Sequence, residues 1–299
     1  MEAERRGKAV RLAFNVASDK PAPFFPPPEG EPTLIDSLDV PTKAIPGIPD
    51  LMHHKYAIRD GEAVWTGSTN WTDDSWSRQE NVIVVAESSG LAAAYTRDFE
   101  QLWSTGIVAE SGFVDPNPIR VDGRRVRAWF SPGRGEALAT RLAHRLKKAR
   151  RRIRICSPVL TSGPILGALA ERVSDGDLDI AGVVDGTQMR GVFHQWRLSG
   201  KADWKLPLVS RIFGAAPFSG KVSTPYGQGS VHDFMHAKVT VTDDMVFAGS
   251  YNLSRSGEQN AENVLEVRDA ELAERLAAWI DGVRARYPAA PLPDAEPGA

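Results

Sequence analysis

The hydrophobic pattern of this chain runs twice through one order. In residues 51–103, alternating apolar positions predict strands at 56–58, 63–66 and 82–85. A helix follows, with Leu91, Tyr95, Phe99, Leu102 and Trp103 recurring along one side. Residues 234–286 repeat the series, with strands at 239–241, 245–248 and 264–267. The closing helix there places Leu272, Leu276, Trp279, Ile280 and Val283 on its apolar side. Ahead of the second series stand a strand at 127–130, a helix at 136–149 and a strand at 153–155. A helix carrying Ile165, Leu166 and Leu169 and a strand at 180–184 come next. Ahead of the first series there is only a helix-like stub at 2–6, a strand at 10–14 and a Pro-rich loop at 18–50.

Strands alternating with helices predict an α/β protein of two pseudo-repeated halves, each a mixed sheet flanked by helices. Turn chemistry at Asp115-Pro116-Asn117-Pro118 and Asp122-Gly123 marks the division. The expected units are 1–118, 119–286 with an insertion at about 186–230, and a disordered Pro- and Ala-rich tail at 287–299. The first half is short by at least one strand and most of a helix. That predicts an N-terminally shortened chain, or an abbreviated half whose open sheet edge is covered in some other way.

No run approaches the roughly 18 apolar residues of a membrane span, and residues 1–9 lack the apolar region of a signal peptide. A single cysteine, Cys156, leaves no internal disulfide and suits a reducing compartment, so a soluble cytoplasmic protein is expected. The net charge of −2 hides an uneven distribution. Residues 120–154 hold thirteen Lys or Arg against Asp122 and Glu136, a local charge of +11. Such a segment is a track for phosphate-rich ligands or the solvated face of one helix. The inner stripe of Leu138, Leu142 and Leu146 favours the second.

The candidate chemistry falls at the same place in both series. His53, Lys55 and Asp60 form H-x-K-x4-D, followed by Gly67-Ser68-Thr69-Asn70 and Glu80-Asn81. His236, Lys238 and Asp243 form it again, followed by Gly249-Ser250-Tyr251-Asn252 and Glu262-Asn263. His to Asn spans 17 residues in one copy and 16 in the other, and His to Glu 27 and 26. One residue of turn length accounts for both offsets. Alternation puts each His and Lys on one strand face, and the next strand brings Ser68 or Ser250 and its asparagine to the same edge. Two such sets, facing each other, make a site for a single phosphate. Lys55, Lys238, Asn70 and Asn252 suit its non-bridging oxygens. One imidazole attacks phosphorus and forms a phosphohistidine, and the other protonates the departing alkoxide. Glu80 and Glu262 are suited to holding an imidazole tautomer. The lysines bring the charge, so neither a metal nor another cofactor is called for.

These paired motifs, with matching trailers across nearly the whole chain, resemble the phospholipase D superfamily. The resemblance implies an active site between the two halves, across a pseudo-twofold axis. It implies His53 as nucleophile and His236 as acid. Asp60 and Asp243 complete the catalytic signature, and the resemblance gives them a structural task within it. The expected reaction is hydrolysis of a phosphodiester or its transfer to an alcohol. Overall acidity favours phospholipid, with the aromatic insertion as a peripheral membrane contact; nucleic acid is the alternative substrate. If the shortened half keeps the motifs apart, a non-catalytic phosphate-binding module is expected instead.

The remaining signals read more plainly. His54 falls on the opposite strand face, a structural position, and His232 reads as loop packing with substrate binding as its second role. A zinc site from His53, His54, His232 and His236 lacks the Glu or Cys partners of zinc signatures. Residues 214–221 miss the phosphate-loop pattern by one residue, and Val222 stands where Ser or Thr is required. Trp65, Trp71 and Trp76 surround the first motif; Trp196 and Trp204 lie in the insertion, as core anchors or shapers of substrate access.

Overall fold

The computed structural model describes residues 6–16, 32–225 and 230–293. Residues 2–5 of the stub, 18–31 of the Pro-rich loop, 226–229 of the insertion and 294–299 of the tail lie outside the described residues.

In the first half, β1 (Leu12–Val16) and β2 (Thr42–Pro46) form a parallel pair, with a short helix α1 (Pro32–Asp36) between them in sequence. Next come β3 (Tyr56–Arg59), β4 (Ala63–Gly67), a short α2 (Asp73–Ser77) and β5 (Ile83–Glu87), the strands pairing as an antiparallel sheet. The helix α3 (Ser89–Thr105) starts where the Ser88 hydroxyl accepts from the Leu91 amide and stops at Gly106, whose φ of 72° glycine tolerates.

The second half opens with β6 (Ile119–Val121), β7 (Arg124–Ser131), α4 (Gly135–Lys148), β8 (Arg152–Ser157), α5 (Gly163–Asp175) and β9 (Asp179–Asp185). It continues with α6 (Gly186–Ser199), α7 (Leu206–Ala215) and β10 (Phe218–Lys221). The repeated series is β11 (Val239–Thr242), β12 (Met245–Gly249), a short α8 (Arg255–Gln259), β13 (Glu262–Arg268) and α9 (Ala270–Arg284). Its eight strands form one mixed sheet in the order β10-β9-β8-β11-β12-β13-β7-β6.

Alternation along these strands feeds two cores. Phe247 and Trp129 point to one face, where Leu138, Leu142 and Leu146 of α4 and Ile165 and Leu169 of α5 cover them. Val246, Ala248, Ala128 and Phe130 point to the other, where they meet α9 and, from the first half, Val64, Leu91 and Tyr95. The two halves therefore share a core.

The insertion is more regular than its sequence predicts. α6, α7 and β10 continue the helix-and-strand alternation, and β10 pairs in parallel with β9. No strong period is visible because few side chains there, such as Phe193, Trp196, Val209 and Ile212, reach the core. Residues 287–293, expected to lack structure, run along β10: the Gly220 amide donates to Pro288 and the Ala290 amide to Phe218. β10 is the sheet's edge, and its unpaired backbone groups take a partner there.

Superposing the series by strand register shows what the first half lacks. The β3–β5 meander matches β11–β13, and the parallel pair β1-β2 matches β9-β10. Among the described residues the first half holds no counterpart of β7, α4, β8 or α5. Without a β8 the pair β1-β2 stays apart from β3, and without a β7 the outer edge of β5 is unpaired. Phe247 and Val264 lie buried under α4, whereas Trp65 and Ile83 occupy their places on an uncovered face. Val85 (66% exposed), Trp71 (66%) and Trp76 (58%) extend that face, with the Trp71 and Trp76 rings 5.0 and 6.3 Å from Trp65.

Six of the thirteen basic residues of the segment are ion-paired within the fold. Arg134 pairs with Asp115, Arg141 with Glu266, Lys147 with Glu171 and Arg152 with Glu274. Arg124 pairs with Asp269, and Arg154 with Asp179 and Asp281.

Asp243 opens the β11–β12 turn at φ 52° and accepts the amides of Arg150, Arg151 and Arg152 at 2.9, 2.9 and 3.2 Å. Asp60 takes the same φ of 52° in the β3–β4 turn. Losing three charge-assisted acceptor bonds costs about 2 kcal/mol at a half-buried site. Denaturant unfolding of Asp243→Ala is expected to show that loss.

Candidate active site

The two H-x-K segments end just before their strands rather than lying within them, since β3 begins at Tyr56 and β11 at Val239. Each is held by the opposite half. Met52 bridges Ala261, and the His53 amide donates to the Ala261 carbonyl at 2.9 Å. Met235 bridges Glu80, and the His236 amide donates to the Glu80 carbonyl at 3.1 Å. Each lysine turns back to donate to the carbonyl of its own histidine, Lys55 at 2.8 Å and Lys238 at 2.6 Å. These matched bonds define the pseudo-twofold axis.

The same axis corrects the sequence alignment of the trailing Glu-Asn pairs. β4–β5 pairs Gly67 with Ile83, and β12–β13 pairs Gly249 with Val264. A Cβ on Gly67 would lie 2.1 Å from the Val82 carbonyl oxygen, and one on Gly249 2.1 Å from that of Asn263. Val82 therefore matches Asn263, Asn81 matches Glu262, and Glu80 matches Ala261. A one-residue slip exchanges the two faces of a strand. Glu80 accordingly does not reach an imidazole. Its carboxylate accepts from Lys221 at 2.8 Å and pairs with Arg286 and the Tyr287 hydroxyl.

The imidazoles are backed across the halves by unlike groups. His53 Nδ1 lies 2.8 Å from both carboxylate oxygens of fully buried Glu262. Burial pushes that carboxyl up, but His53, Lys55 and the Ser250 hydroxyl outweigh it and hold it below the usual range. An ionised carboxylate only accepts, so Nδ1 carries the proton and Nε2 keeps its lone pair. His236 Nδ1 lies 3.1 Å from Asn81 Oδ1. That amide is oriented by its neighbours: Nδ2 donates to the Ser75 carbonyl at 2.9 Å, and the Ser68 hydroxyl donates to Oδ1 at 2.7 Å. His236 Nδ1 is therefore also a donor, here to a neutral group.

Burial and mutual repulsion govern the charges. Burial lowers the His53 imidazole below its ordinary value, with Glu262 opposing and both lysines assisting. His236 is pushed much further down, by burial and then by Lys238, Lys55 and His53. Burial brings the Lys55 ammonium down to about 8, and burial together with Lys55 lowers Lys238 well below its usual range. One phosphodiester anion between the lysines would relieve every one of these shifts.

Of the other expected residues, Ser68 and Ser250 brace the backing groups, with the Val82 and Asn263 amides donating to their hydroxyls at 3.0 Å each. Asn252 has a buried Oδ1 with no protein partner, and half-buried Asn70 stands in the matching place. Asp60 and Asp243 are not brought to this group; a strand's length separates each from its lysine. His54 turns away to Asp98, 3.0 Å from its Nε2, and its ring lies tilted against that of Tyr56. His232 packs in its loop, its amide donating to Asp74 at 3.0 Å and its ring stacked on Phe234. Among the described residues no three His, Cys, Asp or Glu side chains are grouped to hold a metal ion.

A family model described as cardiolipin synthase, PLD-like domain matches residues 1–103 and 142–284, most of the chain and both motifs. The chain belongs to the phospholipase D superfamily. Mitochondrial cardiolipin hydrolase of Xenopus laevis is 40% identical over 52 residues, 17% of this chain and 25% of that protein. The human protein of that name is 27% identical over 89 residues, 27% of this chain and 35% of that protein. The chain thus spans about a quarter to a third of the length of these relatives. Nuc from Salmonella typhimurium, a phospholipase D family member, superposes with a TM-score of 0.40 and 21% identity over 55% of this chain and 95% of its own. For NucT from Helicobacter pylori the TM-score is 0.43, with 17% identity over 56% of this chain and 99% of that one.

The site gives a pH dependence to test. Protonated Lys55 is the form that holds an anion, so kcat/KM for a phosphodiester is expected to fall as pH rises through about 8. Bound anion favours the ammonium, so the alkaline limb of kcat should lie higher than that of kcat/KM. Coincident limbs would assign the titration to another group.

Proposed function

We propose that the protein cleaves phosphodiesters in two displacements at phosphorus, with His53 as nucleophile and His236 as acid and then base. The observation that carries this reading is the Glu262–His53 pair, which leaves Nε2 unprotonated in a site that also holds the two buried lysines. Attack by Nε2 expels the alkoxide, which takes its proton from His236. Water or an alcohol then attacks the phosphohistidine while His236 removes its proton. Glu262 balances the positive charge that His53 acquires on phosphorylation, and Lys55 and Lys238 hold the non-bridging oxygens.

Phospholipid is the favoured substrate class. The internal pairing of the basic segment leaves less free charge for a nucleic-acid track. The similarity to proteins named cardiolipin hydrolases points the same way. Among the described residues no helix is long and apolar enough to cross a membrane, so access to lipid would be from the surface.

The test offers cardiolipin vesicles, phosphatidylcholine vesicles and single-stranded DNA to the protein in EDTA. Release of a lipid headgroup product supports the reading. Cleavage of DNA alone would replace phospholipid with nucleic acid, and a folded protein inert on all three would favour a phosphate-binding module.

A further inference from the structure

We propose that Asp185 and Asn15 are positioning residues for the two histidines, each anchoring the backbone amide that precedes its motif. Asp185 is the last residue of β9 and is fully buried. Its Oδ2 accepts the Met235 amide at 3.0 Å, and its Oδ1 accepts the Gln188 amide at 2.9 Å and the Ser223 hydroxyl at 2.8 Å. One carboxylate thus joins the end of β9, the first turn of α6 and the chain leaving β10 to the residue before His236. Asn15, in β1, does the corresponding work with an amide. Its Oδ1 accepts the Met52 amide at 3.0 Å, and its Nδ2 donates to the Val16 carbonyl at 2.8 Å.

β1 and β9 occupy matching places in the two halves, and both bonds end on the methionine before the catalytic histidine. The same bond made twice, by unlike residues and across more than 35 positions of sequence, marks a shared task. The opposite side of each methionine is held by the other half, through the Ala261 and Glu80 bridges. Each histidine backbone is therefore clamped between its own half's Asp185 or Asn15 and the other half's strand. The imidazole must meet Asn81 or Glu262 with Nδ1 while presenting Nε2 to phosphorus, and a misplacement of about 1 Å costs about a hundredfold in rate. Burial raises the Asp185 carboxyl, while its three donors and Lys221 oppose the shift.

This inference rests on the proposed roles of His53 and His236, and its test separates the two. Asp185→Asn conserves volume, but its single carboxamide oxygen cannot serve both the Met235 and Gln188 amides. Nitrogen-15 spectra of the histidine rings, assigned with His53→Asn and His236→Asn, are the first readout. Asp185→Asn is expected to move the His236 resonances and its titration and to leave those of His53 in place. Asn15→Ala is expected to do the reverse.

The second readout is rapid-quench kinetics on a p-nitrophenyl phosphodiester, whose leaving group needs no acid. Asp185→Asn should slow phosphoenzyme breakdown about tenfold with formation within about twofold, and Asn15→Ala should slow formation about tenfold. Unmoved ring resonances, or equal slowing of both steps accompanied only by a lower melting temperature, would overturn the assignment. Absence of any phosphoenzyme would overturn the proposed chemistry instead, with the ring resonances still deciding the positioning roles.

Discussion

His53→Asn is expected to lower kcat/KM by about 10^4-fold or more and to abolish phosphoenzyme formation, because it removes the atom proposed to bond to phosphorus. At 1.36 kcal/mol per decade the loss is about 5.5 kcal/mol of transition-state stabilisation. Asparagine retains a donor for Glu262, so the buried carboxylate keeps a partner. Acid quenching with a phosphorus-labelled substrate checks the claim. A labelled protein in the His53→Asn variant would move the nucleophile to His236.

His236→Asn should fail differently. With an alkoxide leaving group the rate is expected to fall about 10^3-fold, since a general acid contributes about 10^2 to 10^4. With p-nitrophenolate the first step needs no proton, so label should accumulate on His53 and turn over slowly. His236 has a much lower proton affinity than a free imidazole in the unliganded site. The substrate anion must therefore raise it before it can act as an acid. Equal losses on both substrates, with no trapped intermediate, would rule out the proton-transfer role.

The two motifs were legible in the sequence because strand alternation and short turns fix their spacing locally. The same holds for β3–β5 and β11–β13, whose apolar positions recur with period two. Two kinds of fact were not local. The Glu-Asn pairs invite alignment of Glu80 with Glu262, yet strand register decides that Asn81 stands there, and register depends on pairing across the sheet. Asp185 and Asn15 act on amides 50 and 37 residues away, where no neighbouring sequence announces a partner. Counting from Ser68 and Ser250 gives Glu80 and Glu262 the same offset of 12 residues, so the extra residue ahead of β5 shows only in the strand pairing. The insertion stayed opaque for a related reason: helices that bury only a few side chains carry a weak period.

The unequal backing of the histidines has an evolutionary consequence. A pair of identical halves, joined only by association, would have to offer the same residue to both imidazoles. A mutation that suited one would at once be imposed on the other. Two copies in one chain are released from that constraint, and here β13 supplies Glu262 while the chain entering β5 supplies Asn81. Duplication lets a symmetric framework hold an asymmetric division of labour, and each half has become unable to complete its own site. Selection then acts on the halves as one unit, since a change on either strand is felt by the histidine of the other.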